Sequence, residues 1–182
     1  MPALLPGLAN DLQIPLAVAR AGARTVFVQD AVAWEHLSDS AGEEHARKVR
    51  MATRGLSHVP EMLRLAPGIL KAQYLVHKVL RWLTGVALVE VLALNVILAF
   101  GMGGLYTALL ACQGLFYAAA ALGAVAEGRN LRVPLLRFPR YFVLMHLAGL
   151  EAVMNVLRGR TFETWEKPTS TRRGGAPLPG GA

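Results

Sequence analysis

Residues 82–126 carry one side chain that is charged at neutral pH, Glu90; the remaining positions are apolar, aromatic or small apart from Thr84, Asn95, Thr107, Cys112 and Gln113. One bilayer crossing needs about 20 residues, so this run is long enough for two. Gly101-Met102-Gly103-Gly104 divides it near the middle. The pattern predicts a transmembrane hairpin with spans over 79–100 and 105–126. His77, Lys78 and Arg81 precede the first span and Trp82 stands at its mouth. Basic residues with an interfacial tryptophan mark a cytoplasmic boundary.

Upstream, the apolar spacing becomes helical. Val49, Ala52, Leu56 and Val59 fall on one face of a helix beginning at Glu43, and Arg47, Arg50 and Arg54 on another. Pro60 ends or kinks this helix. A basic amphipathic helix beside membrane spans suits the interface plane, and a solvated charged face is the plainer alternative. Nearer the N-terminus, Asn10 can cap a helix with Asp11 in its first turn and Gly22 at its end. Thr25, Val26, Phe27 and Val28 make a short β-type run, Gln29-Asp30 a turn, and 31–35 a second extended piece. A lone strand leaves its backbone groups unpaired, so this piece reads as the corner of a larger α/β sheet.

Downstream, residues 127–140 hold Arg129, Arg132, Arg137 and Arg140. The positive-inside rule places them in the cytosol, as an even number of crossings requires. Residues 141–157 form a third apolar stretch that contains His146, Glu151 and Asn155 and runs into Arg158 and Arg160. With both flanks basic, it is either a third span that breaks the charge rule or a helix at, or partly in, the cytoplasmic surface. The second arrangement is preferred. Residues 168–182, rich in Gly, Pro, Ser and Thr, are expected to be disordered.

Composition sharpens this picture. Of 182 residues, 54% are hydrophobic and 17% charged, and the apolar excess is concentrated in the stretches above, which favours membrane spans over a large soluble core. The net charge of +7 hugs the membrane segments without interleaved aromatics, so it fits anionic membrane lipids and argues against nucleic acid as a partner. Residues 1–9 contain no Lys or Arg and no sustained apolar run, so no cleaved signal peptide is expected and the N-terminal segment is expected in the cytoplasm. Cys112 is the single cysteine, which excludes an intrachain disulfide.

Candidate chemistry is sparse. Depth matching about the turn places Glu90 opposite Gln113, where a hydrogen bond would glue the spans; a polar path lined by Glu90 or Asn95 is the sharper alternative. The five histidines show no metal-ligand spacing, and no phosphate loop or nucleophile elbow is present.

The segment NDLQIPLAVARAGARTVFVQDAVAWEHL resembles the end of the catalytic domain of membrane-bound family 2 glycosyltransferases, the group that includes cellulose and hyaluronan synthases. HARKVRMATRGL resembles the arginine-bearing interface helix that follows it there, HKVLRWL the approach to the next span, and YFVLMHLAGLEAVMNVLRGRTFETWEK the C-terminal end of the membrane region. The match runs from Asn10 to Lys167. It implies that Asp11, at the last acid of a Thr-Glu-Asp-type motif, is the catalytic base that takes the proton of an acceptor hydroxyl during a single inverting displacement. Asn10 replaces the preceding acid. Within the Gln-x-x-Arg-Trp pattern only Arg50 is kept; Arg47 and Met51 replace the Gln and the Trp, which removes the ring on which an acceptor sugar would stack. Arg50 would contact the donor diphosphate or the acceptor, a task suited to the forked guanidinium. Trp165 and Lys167 match a cytosolic loop that closes over the nucleotide.

The nucleotide-binding half and its metal-binding Asp-x-Asp motif, which would hold Mg or Mn, have no counterpart in residues 1–9. The resemblance therefore implies that this chain carries no cofactor. Nucleotide sugar and a glycan or lipid acceptor would bind only with the missing half, the chain being expected as either a truncated gene product or a part that needs a second polypeptide carrying that half. The expected fold class is a mostly α membrane protein. It comprises a glycosyltransferase-domain remnant (1–42), amphipathic interfacial helices (43–78), a transmembrane hairpin (79–126), a basic cytosolic loop (127–140), a third spanning or interfacial helix (141–160) and a cytosolic tail (161–182). The expected location is the cell membrane, as a multi-pass protein. The alternative function is a non-catalytic anchor or assembly subunit that docks a partner.

Overall fold

A computed structural model describes residues 10–33, 40–160 and 162. The expectations placed on residues 1–9, Trp34, Glu35, Trp165, Lys167 and the 168–182 tail lie outside these residues. The helices are α1 (Asn10–Arg20), α2 (Ala41–Ser57), α3 (Val59–Leu65), α4 (Ile69–Tyr74), α5 (Arg81–Met102), α6 (Leu105–Gly128) and α7 (Pro134–Leu157). A π-helical segment, Leu75–Leu80, joins α4 to α5, so the helix runs unbroken over Ile69–Met102. That helix, α6 and α7 are each long and apolar enough to cross a membrane.

The expected strand over 25–28 does not form, and no strand occurs among the described residues. Val26, Phe27 and Val28 are exposed on an irregular segment. With no second strand beside it, a β-branched run has no ladder to join. The preceding helix ends as expected. Gly22 has φ +76°, and the Ala23 and Gly22 amides close back on the Val18 and Ala19 carbonyls.

Two boundaries also move. Ser40 caps α2, its Oγ accepting from the Glu43 amide at 3.2 Å, and Pro60 stands in the first turn of α3 rather than at a kink in one longer helix. Likewise α7 begins at Pro134, so most of the expected basic loop is helix. Proline in the first helical turn gives up an amide that has no partner there, which is why Pro134 opens α7 well before Tyr141. Only 129–133 connect α6 to α7, and they turn through a left-handed Asn130, with Leu131 N–H on the Ala126 carbonyl at 2.8 Å.

The hairpin forms as the pattern predicts. Gly103 and Gly104 have φ +62° and +53° with strongly negative ψ, a conformation open to glycine alone. Helices α5 and α6 therefore run antiparallel, and the start of α5 lies beside the end of α6.

Helix α7 packs on both helices of this hairpin. Near its start it meets the end of α6, where a β-carbon on Gly123 would lie 2.9 Å from the Leu136 carbonyl oxygen. Nearer its end it meets the start of α5, where a β-carbon on Gly149 would lie 2.5 Å from the Trp82 carbonyl oxygen and one on Gly85 would strike the His146 carbonyl. Helix α7 thus crosses from α6 to α5 over the half of the hairpin away from its turn, with Phe138 and Phe142 against Phe116 midway along α6. Small residues permit the crossing because backbones can approach only where no side chain intervenes.

Helix α2 packs on α7 as a second layer. Ala41 lies at the α6 side and the Trp82 ring packs on Gly55 at the α5 side, so α2 and α7 cross in the same sense. Val49, Ala52 and Thr53 of α2 and Ala148, Gly149 and Ala152 of α7 are buried. His45 Nε2 and Glu151 Oε2 meet at 2.9 Å across the layers. A small core of Met62, Tyr74 and Val79, joined by Leu12 and Leu16, ties α1 and α3 to the base of α5. The Tyr74 hydroxyl donates to the Gly55 carbonyl at 3.2 Å.

Candidate functional site

Asp11 is exposed in the first turn of α1, the face opposite Leu12 and Leu16. Asn10 is the first described residue of α1, and its Oδ1 accepts from Gln13 Nε2 at 3.1 Å. Arg50 is half-buried on α2. No hydrogen bond or ion pair joins Asp11 to Arg50 among the described residues. Trp165 and Lys167 lie outside them.

The arginines of α2 differ. Arg47 closes both forks on Glu44, Nε to Oε2 and Nη2 to Oε1 at 3.0 Å each, and Lys48 Nζ adds a contact at 3.4 Å. The Arg47 hydrogen bond holds the Glu44 carboxyl below its ordinary value of 4.5, against the opposing effect of burial. Arg50 has no ion-pair partner among the described residues, so its guanidinium remains available for an anion.

Within the hairpin the polar pairing is not the expected one. Asn95, not Glu90, meets Gln113, their side-chain amides 2.8 Å apart. Asn95 is buried, whereas Glu90 is exposed on the outward face of α5. The turn closes at Gly103–Gly104, which sets Gln113 level with residue 95 and leaves Glu90 nearer the helix start.

The most concentrated polar feature is a cavity of about 490 Å³ at the base of the hairpin. Arg132, Arg137 and Arg140 line it with Glu127, Asn130 and Tyr141, and Ala41 of α2 closes one side. Helix α7 begins here, so the positive end of its dipole adds to the arginines. Arg140 Nε stands 3.4 Å from Glu127 Oε2, yet it is buried without a hydrogen-bond partner. Arg132 and Arg137 are exposed and have no ion-pair partner among the described residues. The sequence shows these arginines as a basic loop, but only the folding of 134–140 into α7 wraps them around a concavity. Helical spacing in FPRYFVLMH was the signal that could have revealed this. A second cavity of about 230 Å³, between Gly85, Leu92, Tyr117, His146 and Leu150, is mainly apolar. Among the described residues no group of three or more His, Cys, Asp or Glu side chains could hold a metal ion.

The chain matches no protein-family model, no curated protein and no solved structure.

Proposed function

We propose that this chain is the membrane platform of a family 2 glycosyltransferase, whose complete form moves a sugar from a nucleotide donor to a lipid or glycan acceptor at the cytoplasmic face of the cell membrane. One observation carries the reading. Helices α2 and α7 lie in layers across the half of the hairpin away from its turn, so the Arg50 helix, the 129–133 turn and the Asp11 helix all gather on that half. A catalytic domain placed there would meet an acceptor emerging from the membrane. Asp11 serves as the base that accepts the acceptor proton, and Arg50 engages donor or acceptor phosphate. Trp165 and Lys167 close over the nucleotide. The donor-binding half, with its Mg or Mn, comes from outside residues 1–182.

A second reading is favoured by a different observation. Val26, Phe27 and Val32 are 73%, 92% and 69% exposed on an irregular segment that joins no strand among the described residues. Such a segment suits addition to the edge of another protein's sheet. The chain would then be a non-catalytic anchor.

Membranes from the native host, with the tagged full chain replacing the endogenous copy, separate the two. Transfer of labelled sugar that co-purifies with the chain and falls by about 100-fold or more in Asp11→Asn supports the transferase. A co-purifying partner without sugar transfer, or transfer unchanged by Asp11→Asn, contradicts it.

A further inference from the structure

The arginine-lined cavity has a chemistry that the transferase reading does not use, and it stands whether or not that reading holds. The geometry points to a binding site for the phosphate headgroup of an anionic phospholipid.

Three features converge. The first is charge. Arg132, Arg137 and Arg140 face one acid, Glu127, which is already turned toward Arg140. Guanidinium forks match the paired oxygens of a phosphodiester. The second is an unmet donor. Arg140 Nε is buried in the wall of the site without a hydrogen bond, 3.4 Å from a carboxylate that does not satisfy it. Buried donors are almost always paired, so Glu127 alone leaves the hydrogen-bonding capacity of the Arg140 guanidinium unfilled. The third is level and lining. Helix α6 has 24 residues, about 36 Å at 1.5 Å per residue, and the hydrocarbon core is about 30 Å thick. Its last turn, which carries Glu127, therefore emerges among headgroups. Beside the arginines the cavity wall is Leu131, Val133, Leu136 and Leu144. That half-apolar lining fits the glycerol and first acyl carbons attached to a headgroup and offers nothing to free phosphate. Basic pockets between membrane helices on the cytoplasmic side recognise anionic headgroups in this way.

The test is native mass spectrometry of the full chain, extracted from vesicles of equal phosphatidylglycerol and phosphatidylcholine content. The wild type is expected to retain phosphatidylglycerol over phosphatidylcholine by about tenfold or more. The Arg132→Gln/Arg137→Gln variant is expected to lose most of that preference. Both side chains are exposed, and unchanged helical circular dichroism will verify the fold. Arg158→Gln/Arg160→Gln removes the same charge beyond the far end of α7 and is expected to keep the preference. Equal retention of the two lipids by the wild type, or equal losses in the two double variants, would overturn the site. Displacement of the lipid by inorganic phosphate would overturn the lipid assignment and leave a soluble phosphate as the occupant.

Discussion

The backbone of Trp82 and that of Gly149 touch so closely that a β-carbon on the glycine would lie 2.5 Å from the tryptophan carbonyl oxygen. The ring of the same tryptophan packs on Gly55. Trp82 therefore joins the start of α5 to α7 on one side and to α2 on the other. Gly149→Ala must push α7 off the hairpin, at a cost of about 1–3 kcal/mol. Gly114 has open space at its β-position, and Gly114→Ala gains helix propensity of about 1 kcal/mol. Thermal melts in detergent should show Gly149→Ala below the wild type and Gly114→Ala at or above it. Equal behaviour of the two would refute the close crossing.

The Asn95–Gln113 contact makes a second prediction, because it is the buried polar link between the two hairpin helices. Asn95→Leu leaves Gln113 without this partner and should destabilise by about 1 kcal/mol. Glu90→Leu removes an exposed carboxyl from an apolar face and should not lower the melting temperature. A larger loss from Glu90→Leu than from Asn95→Leu would show that Glu90 holds the helices together.

The hairpin was legible because its signals are local: an apolar run of the right length and two glycines that alone accept the turn. The pairing inside it was not, since one residue of uncertainty at the turn shifts the facing residue by about two. Thr25 to Val28 misled for a different reason. Its β-branched pattern is real, but strand formation depends on a partner, and none lies among the described residues. The arginine cavity was half legible. The charges stood in the sequence, while their concavity depends on Pro134 opening α7 early and on Asn130 adopting a left-handed turn. The crossing direction of α7 had no local signal beyond Gly85, Gly123 and Gly149.

Acid should weaken the α2 layer through Glu44. Its folded carboxyl sits below the ordinary value of 4.5, chiefly through the Arg47 hydrogen bond, so its contribution is present above pH 4.5 and is lost as the pH falls through the lowered value. The melting temperature of Glu44→Gln should lie below the wild type at neutral pH, and the gap should close in acid below pH 4.5. A gap that persists or widens there would exclude this linkage.

In the proposed arrangement α7 lies across a two-span hairpin, with α2 and both flanks of α7 on the same side of the membrane. In a Cys112→Ala background, single cysteines at Ser40, Met102, Arg129 and Arg160 can be probed in intact cells with a membrane-impermeant maleimide. The expected result is labelling of Met102→Cys from outside, with Ser40→Cys, Arg129→Cys and Arg160→Cys protected until the cells are opened. External labelling of Arg160→Cys together with Met102→Cys would make α7 a third complete span and would contradict the crossbar.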